Sequence, residues 1–413
     1  MLKKVQTILL FLSVLASTAW GSFVLSDLQA VEIKFKMNDI KYISENFKVP
    51  SASWHQIIEN YVSHYLREFN STKTSPPIEE IRAIMAQKVL WPPSTDILAA
   101  LTTEDLEKGL RKIDPYARYV PPPSLPSAPA LFLGIELFAH KSRLFIRSEP
   151  GGPAERTGVP EICELQAING KEILNMGIAA VSALIDDALP KGQVVLSVVT
   201  RPGGKGKPYV VRPANFHSPS FTWKQIDDYF VIRIREFIAH DTAPGMAALY
   251  QTVIRSNTRV VIDLRGCSGG DLFEAIEIAG MFVSRGIPLL NTRDRAGVIK
   301  QYQSSIGQKL PSPTMLLIDY RTASAAEFLA GILQRYHLTR LVGEKSVGKF
   351  VSQTPVLLSN GGKLMVTTHA INIPDCVSYT TSGVKPDISY PNISVTKIKD
   401  IIYKISNGIL VPH

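Results

Sequence analysis

Two stretches of this chain pass from an apolar run through a small-residue turn into a helical pattern, and that succession restricts the fold more than any other feature. Arg259 to Leu264 (RVVIDL) has the length and apolarity of a buried strand, Arg265 to Gly270 (RGCSGG) is a glycine-rich turn, and Asp271 to Val283 carries apolar residues at helical spacing. Thr314 to Tyr320 (TMLLIDY), bounded by Pro313, reads as a second buried strand. It is followed by a turn through Ser324 and a helix over Ala325 to Tyr336 (AAEFLAGILQRY), built of good helix formers. Strands that turn directly into helices predict an α/β core, and 413 residues suffice for two or three domains.

The second turn also holds the most reactive arrangement in the sequence. A serine hydroxyl is a poor nucleophile at neutral pH and needs a positioned group to take its proton. Lys349 lies 25 positions after Ser324, among the uncharged Val347, Gly348, Phe350 and Val351. A lysine can act as that base only when neutral. Its ordinary pKa near 10.4 must fall by roughly three pH units, at a cost of about 4 kcal/mol, which burial among apolar groups can supply. Gln353, four residues on, has an amide able to hold the amine. The N-H of Ala325, at the helix start, would point toward an oxyanion forming beside the serine. Gly269 and Gly270 leave the other turn free of Cβ atoms, so that a peptide could approach and a main-chain N-H could complete the hole. Taken alone, the same residues have an ordinary reading. Ser324-x-x-Glu327 is a capping box, RGCSGG is a strand-to-helix turn that matches no phosphate loop, and Lys349 is a surface lysine. A histidine triad using His369 and Asp387 stays open, as does Cys267 as nucleophile.

The DLRGCSGG turn, the TASAAE turn and the GEKSVGKFVSQ segment, in this order, resemble the C-terminal processing (tail-specific) proteases, serine peptidases with a Ser/Lys dyad. GVKPDI (Gly383 to Ile388) matches the family's G-x-x-P-D, and Ile113 to Tyr119 (IDPYARY) resembles its L-D-P-x-S-x-Y lead-in. The resemblance implies that Ser324 is the nucleophile, Lys349 the general base and Gln353 the residue that orients it. It also implies an oxyanion hole formed by the N-H of Ala325 and that of Gly269 or Gly270. Where the family commonly has Asn-Pro before the double glycine this chain has Cys267-Ser268, and Phe350 replaces a glycine after the lysine.

Ahead of this region the order of elements resembles a PDZ domain. Phe132 to Leu137 and Leu144 to Arg147 read as strands, Pro153 to Val159 as a short helix stopped by glycine, Leu165 to Gly170 as LQAING, Ile178 to Leu189 as a helix and Val194 to Val199 as a strand. The resemblance implies that Leu133, Gly134, Ile135 and Glu136 form the carboxylate-binding loop and the strand that follows it. Such a module captures a chain end as an added strand, with loop N-H groups holding the terminal carboxylate.

Lys3 and Lys4, the apolar run Ile8 to Ala16 and the small Ala19 and Gly21 are laid out as a secretory signal peptide, too short to span a bilayer. Its removal takes the formal net charge from +9 to +7, a balance that favours acidic surfaces or anionic membranes weakly. An exported chain with no basic-aromatic cluster is not expected to bind nucleic acid. Cys163, Cys267 and Cys376 show no zinc-ligand spacing and allow at most one bridge. The expected organisation is a signal peptide (1-21), a helical region and Pro-rich connector (22-130), a PDZ domain (131-213), an α/β catalytic core (214-390) and a C-terminal tail (391-413). Helices are expected over Trp54 to Phe69 and Thr103 to Lys112, and Pro121 to Pro129 form a stiff connector. The resulting expectation is an exported serine endopeptidase, periplasmic or secreted. It would use no metal or organic cofactor and would act on proteins or peptides with free, apolar C-termini; an adaptor or self-association is left open. The rival from another class is a PDZ-based binding or scaffold protein.

Overall fold

The computed structural model describes residues 75-122, 131-200, 204-255, 257-305, 310-375 and 382-409, all within one unit spanning residues 70-413. The signal peptide, the helix expected over Trp54 to Phe69, most of the Pro121 to Pro129 connector and Cys376 lie outside these residues. The described chain opens with α1 (Ile78–Lys88), α2 (Thr95–Ala99), α3 (Leu106–Ile113) and the short strand β1 (Arg118–Val120). The helix expected from Thr103 begins instead at Leu106, after Asp105. A β-rich unit follows: β2 (Ile135–His140), β3 (Arg143–Ser148), α4 (Pro153–Arg156), β4 (Ile162–Ile168), β5 (Lys171–Glu172), α5 (Ile178–Ala188), β6 (Val194–Val199) and β7 (Lys207–Val211). Its strands are antiparallel in the order β2-β3-β4-β6-β7, with β5 on β4. Among the described residues β2 therefore lies at an edge of the sheet, and the two helices of this unit flank a core of its own that includes Leu133, Ile146, Leu165, Val181 and Leu196.

The remaining elements are β8 (Phe221–Ile226), β9 (Tyr229–Ile234), α6 (Thr242–Thr252), β10 (Arg259–Asp263), α7 (Leu272–Gly280), β11 (Pro288–Asp294), β12 (Ile299–Gln303), β13 (Met315–Ile318), α8 (Ala325–Arg335), β14 (Arg340–Gly343), β15 (Val351–Leu357), β16 (Lys363–Asn372), β17 (Ile388–Ser389) and α9 (Ile398–Ser406). One mixed sheet has the order β17-β14-β13-β10-β9-β8, parallel from β17 to β9 with β8 antiparallel at the edge. β10 and β13 are apolar without alternation because both faces of such a sheet are covered, and all four residues of β13 are buried. A second, antiparallel sheet runs β1-β16-β11-β12, with β15 on β16.

The two strand-turn-helix units come together at the carboxyl ends of β10 and β13, where an open α/β sheet places its ligands. Hydrogen bonds lace the turns to each other. Leu264 N donates to Leu317 O at 2.9 Å, Gly266 N to Asp319 Oδ1 at 2.9 Å, Thr322 Oγ1 to Leu264 O at 3.0 Å and Ala323 N to Cys267 O at 3.0 Å. α7 is shorter than the stretch expected to Val283. Asp271 caps its start, accepting from Phe273 N at 2.8 Å and Glu274 N at 3.2 Å.

Residues 391-413, expected to be a tail, carry α9 where they are described. Ile393, Ile398, Ile401 and Ile402 are buried against β9, β10, β13 and β14.

Gly343 ends β14 at φ +139°, where an added Cβ would lie 1.9 Å from the Ile318 carbonyl oxygen. Gly343→Ala should therefore combine backbone strain with overpacking and destabilise the protein by about 2 to 6 kcal/mol, read from the shift of the denaturant midpoint.

Candidate active site

Ser324 occupies the junction of β13 and α8 with φ +55° and ψ −123°. A non-glycine residue pays about 1 to 3 kcal/mol for such a conformation, whereas an ordinary helix cap sits in the extended region. The turn before it over-determines the backbone. Thr322 Oγ1 accepts from Asp319 N at 2.9 Å, and Asp319 Oδ1 accepts from Arg321 N at 3.0 Å. The sequence offered a capping box here, and its return bond is present: Ser324 N donates to Glu327 Oε2 at 2.9 Å.

Glu327 does more than close that box. Its side chain is fully buried, and one oxygen, Oε2, accepts from both Ser324 N (2.9 Å) and Lys349 N (2.8 Å). The other, Oε1, accepts from Gly348 N at 2.6 Å and from the Ser346 hydroxyl. A single carboxylate oxygen thus joins the main chains of the two candidate reactive residues, whose nitrogens lie no farther apart than the sum of those two bonds. Val347 N donates to Thr322 O at 3.0 Å, a second tie between the same loops. The GVKPD segment supports the lysine loop from behind, with Val384 N donating to Ser346 Oγ at 2.7 Å.

The Lys349 amine donates to Gln353 Oε1 at 2.8 Å, and Gln353 Nε2 donates to Tyr116 O at 2.7 Å. The Tyr116 ring covers the amine, its centroid 5.1 Å from Nζ. Tyr116 is placed by the IDPYARY lead-in. Buried Asp114 accepts from Tyr116 N at 3.0 Å and from Thr367 N at 2.8 Å, pinning the segment to β16. Burial, reinforced by the nearby Arg118 charge, holds the Lys349 pKa below its ordinary value against the opposing pull of Asp114 and Glu327. Lys345, the neighbouring amine, is exposed.

The glycine-rich turn lies directly against the serine. A Cβ on Gly269 would sit 2.8 Å from Ser324 Cβ and 2.9 Å from Ala325 N, and one on Gly270 would sit 2.2 Å from Phe237 O. Only glycine fits at either position. Cys267 is fully buried, and that burial pushes its thiol up to about 12, so it remains an unreactive thiol rather than a nucleophile. His369 and Asp387 do not form a pair. His369 Nδ1 is 2.8 Å from Thr368 Oγ1, while Asp387 accepts from Gln334 Nε2 at 2.6 Å and Leu341 N at 2.8 Å.

The structure places Leu133 to Glu136 at the start of edge strand β2. Leu133 is buried in the core of its unit, and Gly134, at φ +66°, packs so closely on Gly152 that a Cβ would meet its Cα at 2.8 Å. The Glu136 side chain points into an ion-pair cluster, accepting from Arg147 at 3.2 Å, Arg233 at 2.9 Å and also Arg321. Burial would raise its pKa, but the three guanidinium charges outweigh this and hold it below the usual carboxylate range. Only the backbone of Glu136 is thus left for a peptide. In sequence Glu327 reads only as a cap partner, and Asp114 and Tyr116 only as part of the IDPYARY lead-in. The IDPYARY resemblance was the one signal that pointed toward the latter two.

Residues 228-390 match the sequence profile of peptidase family S41. A probable CtpA-like serine protease of Staphylococcus aureus (strain N315) is 25% identical over 325 residues, which cover 76% of this chain and 64% of the relative. The carboxyl-terminal-processing protease of Picosynechococcus sp. (strain ATCC 27264 / PCC 7002 / PR-6) is 30% identical over 252 residues, 59% of each chain. This chain therefore spans less than two thirds of the length of either. The fold is shared with the solved photosystem II D1 C-terminal processing protease, at TM-score 0.52 and 21% identity over 76% of this chain and 92% of that one. It is shared as well with a putative S41 protease from Bacteroides fragilis NCTC 9343, at TM-score 0.56 and 17% identity over 80% and 97%. These matches bear out the resemblance to C-terminal processing proteases carried by the three sequence segments.

Replacing Glu327 by Gln must turn an NH2 group toward two of its present donors, since each oxygen accepts twice. Glu327→Gln is expected to destabilise the protein by about 1 to 3 kcal/mol, measured by urea titration against wild type.

Proposed function

We propose, on the premise that residues 228-390 are an S41 peptidase segment, that this protein is an exported serine endopeptidase that hydrolyses peptide bonds through a Ser324/Lys349 dyad. One observation carries the reading: the main-chain nitrogens of Ser324 and Lys349 share Glu327 Oε2, while the lysine amine, lowered in pKa, is held by Gln353. Neutral Lys349 accepts the hydroxyl proton as Ser324 Oγ attacks the scissile carbonyl carbon. The oxyanion is received by the Ala325 N-H and a main-chain N-H of the Gly269-Gly270 turn. Collapse of the tetrahedral adduct transfers the ammonium proton to the departing amine and leaves an ester on Ser324. Water, deprotonated by the same amine, then hydrolyses that ester and restores the serine. Gln353 and Tyr116 act as positioning residues for Nζ. The separate engagements of His369 and Asp387 favour this base over the triad.

Residues 131-213 are assigned as a PDZ domain that takes protein C-termini. Among the described residues β2 has a strand partner on one side only, and α5 of that unit lies beside it, which suits an added strand. The Leu133-Gly134 segment at the head of β2 is the place for the terminal carboxylate. The substrates proposed are proteins with free, apolar tails, met after export directed by residues 1-21, in the periplasm or outside the cell. The helical region and connector (22-130), the catalytic core (214-390) and the terminal segment (391-413) complete the assignment.

Proteolysis of an unfolded protein with an apolar C-terminus separates this from a binding or scaffold protein. Ser324→Ala should abolish cleavage while changing stability by no more than about 2 kcal/mol. Retention of wild-type cleavage by the purified variant would remove the serine assignment. Activity should rise with pH as Lys349 loses its proton, with the midpoint at the lowered lysine pKa, below the value of a free lysine. Lys349→Arg should be inactive at every pH, since a guanidinium keeps its proton, whereas His369→Ala should keep most activity. Amidating the substrate's C-terminus should slow cleavage of the same internal bond, and equal rates for the free and amidated forms would sink the tail-recognition assignment.

A further inference from the structure

Val298 and Ile299 are consecutive at the tip of the β11-β12 hairpin, and they are 63% and 64% exposed. The turn that carries them is closed by other groups. Asp294 N donates to Val298 O at 3.1 Å, Gly297 N donates to Asp294 O at 3.1 Å, and Asp294 Oδ1 accepts from Val298 N at 2.9 Å. Gly297 takes φ +84°, a conformation that suits glycine. The two apolar side chains are therefore displayed by a loop that is already ordered, so seating them against a partner would cost little further conformational entropy. Among the described residues β11 is the only strand paired with β12.

The surroundings of the pair are basic. Arg293 lies across from Ile299 in the hairpin register and shares its face, while Lys300 belongs to the opposite face, its Nζ 4.8 Å from the Tyr302 ring centroid. Arg295 donates to Ala86 O, and Leu90 N donates to Thr367 O at 2.8 Å, close in register to His369, the partner of Asp294. These bonds fasten the end of α1 to the same end of the antiparallel sheet, and there Lys88 is exposed and Trp91 is 45% exposed. Across residues 83-95 and 288-303 the cations are Lys88, Arg293, Arg295 and Lys300, and the one acid is Asp294, whose Oδ1 is committed to the turn. Asp96, at the start of α2, is the next acid along the chain.

We propose that this corner, with Val298 and Ile299 at its apex, docks on the surface of an anionic lipid bilayer. Cations on both faces of the strand can reach lipid phosphates while their aliphatic stems lie beside the apolar pair, and an exposed tryptophan suits the headgroup layer. A protein groove that received the same tip would need acidic walls on both sides of an apolar floor, whereas an anionic bilayer presents that arrangement in every direction. No helix among the described residues is long and apolar enough to cross a membrane, so the contact made by this corner is peripheral and reversible. The surface is distinct from the serine and from the edge of β2, and it does not depend on the peptidase reading.

The test is hydrogen-deuterium exchange on the full chain, alone, with phosphatidylcholine vesicles, and with vesicles containing about one third phosphatidylglycerol. Reading exchange at the hairpin itself keeps any binding by the apolar run Ile8 to Ala16 out of the result. Anionic vesicles should slow exchange over residues 295-301 by at least about threefold, phosphatidylcholine vesicles should not, and about 0.5 M NaCl should reverse the effect. The double variant Val298→Asp/Ile299→Asp should lose the protection with Tm unchanged, since both side chains are exposed. Arg293→Gln/Lys300→Gln should lose it as well, and it decides the matter if the first variant does not fold. The proposal is overturned if anionic vesicles leave exchange at the hairpin unchanged in wild type, if phosphatidylcholine protects it equally, or if either folded variant keeps the wild-type protection.

Discussion

The Glu327 carboxylate is the interaction on which the site depends. It is fully buried and accepts from Ser324 N, Lys349 N, Gly348 N and the Ser346 hydroxyl. A buried carboxylate is tolerated only where hydrogen bonds replace its hydration, and these donors come from two loops separated by a helix and a strand. Fixing them to one acceptor sets Ser324 in its positive-φ conformation and brings the lysine loop alongside in the same stroke. The strain at Ser324 is thus held by bonds made elsewhere, as is expected where a side chain must be aimed rather than merely packed.

The lysine's surroundings work against the charge it would carry in water. Burial lowers its pKa, Arg118 adds to the effect, and Gln353 offers an acceptor that fixes Nζ without supplying a counter-ion. Gln353 is in turn held by the Tyr116 carbonyl, and Tyr116 by Asp114, so a segment ahead of the β-rich unit completes a site whose other parts lie far along the chain. A second cluster, centred on Glu136, ties that unit to the mixed sheet through Arg233 and to the turn after β13 through Arg321, while Arg147 of the same unit donates to Arg265 O and Ser394 O. Arg321 also lies in the turn that leads to Ser324, so the two polar clusters meet at one loop.

Much of the core was legible because its signals are local. β10 and β13 read as strands from their unbroken apolar runs, and α8 from its helix formers and its Ser-x-x-Glu start, since neither inference needs a distant partner. What escaped reading depends on contacts across the chain. Glu327 looks like a cap residue until the lysine loop folds onto it. Tyr116 is only one residue of a lead-in until Gln353 reaches its carbonyl. Glu136 was read with the peptide strand, but its side chain belongs to arginines from three other segments. The segment after residue 390 has little to say in sequence, yet Ile393 O and Thr396 O both accept from the fully buried Arg265 at 2.7 Å, and its isoleucines complete a core layer. A buried arginine cannot announce from sequence which carbonyls will satisfy it.

The most direct test of the central claim is covalent labelling with a fluorophosphonate, which reacts only with an activated hydroxyl, followed by mass mapping of the modified peptide. The account predicts one modification, on Ser324, in the wild-type protein, and its loss in Lys349→Met, whose unbranched side chain is one atom shorter and has no amine. Labelling at another residue, or labelling of Ser324 at an unchanged rate in Lys349→Met, would contradict a Ser324 nucleophile activated by Lys349.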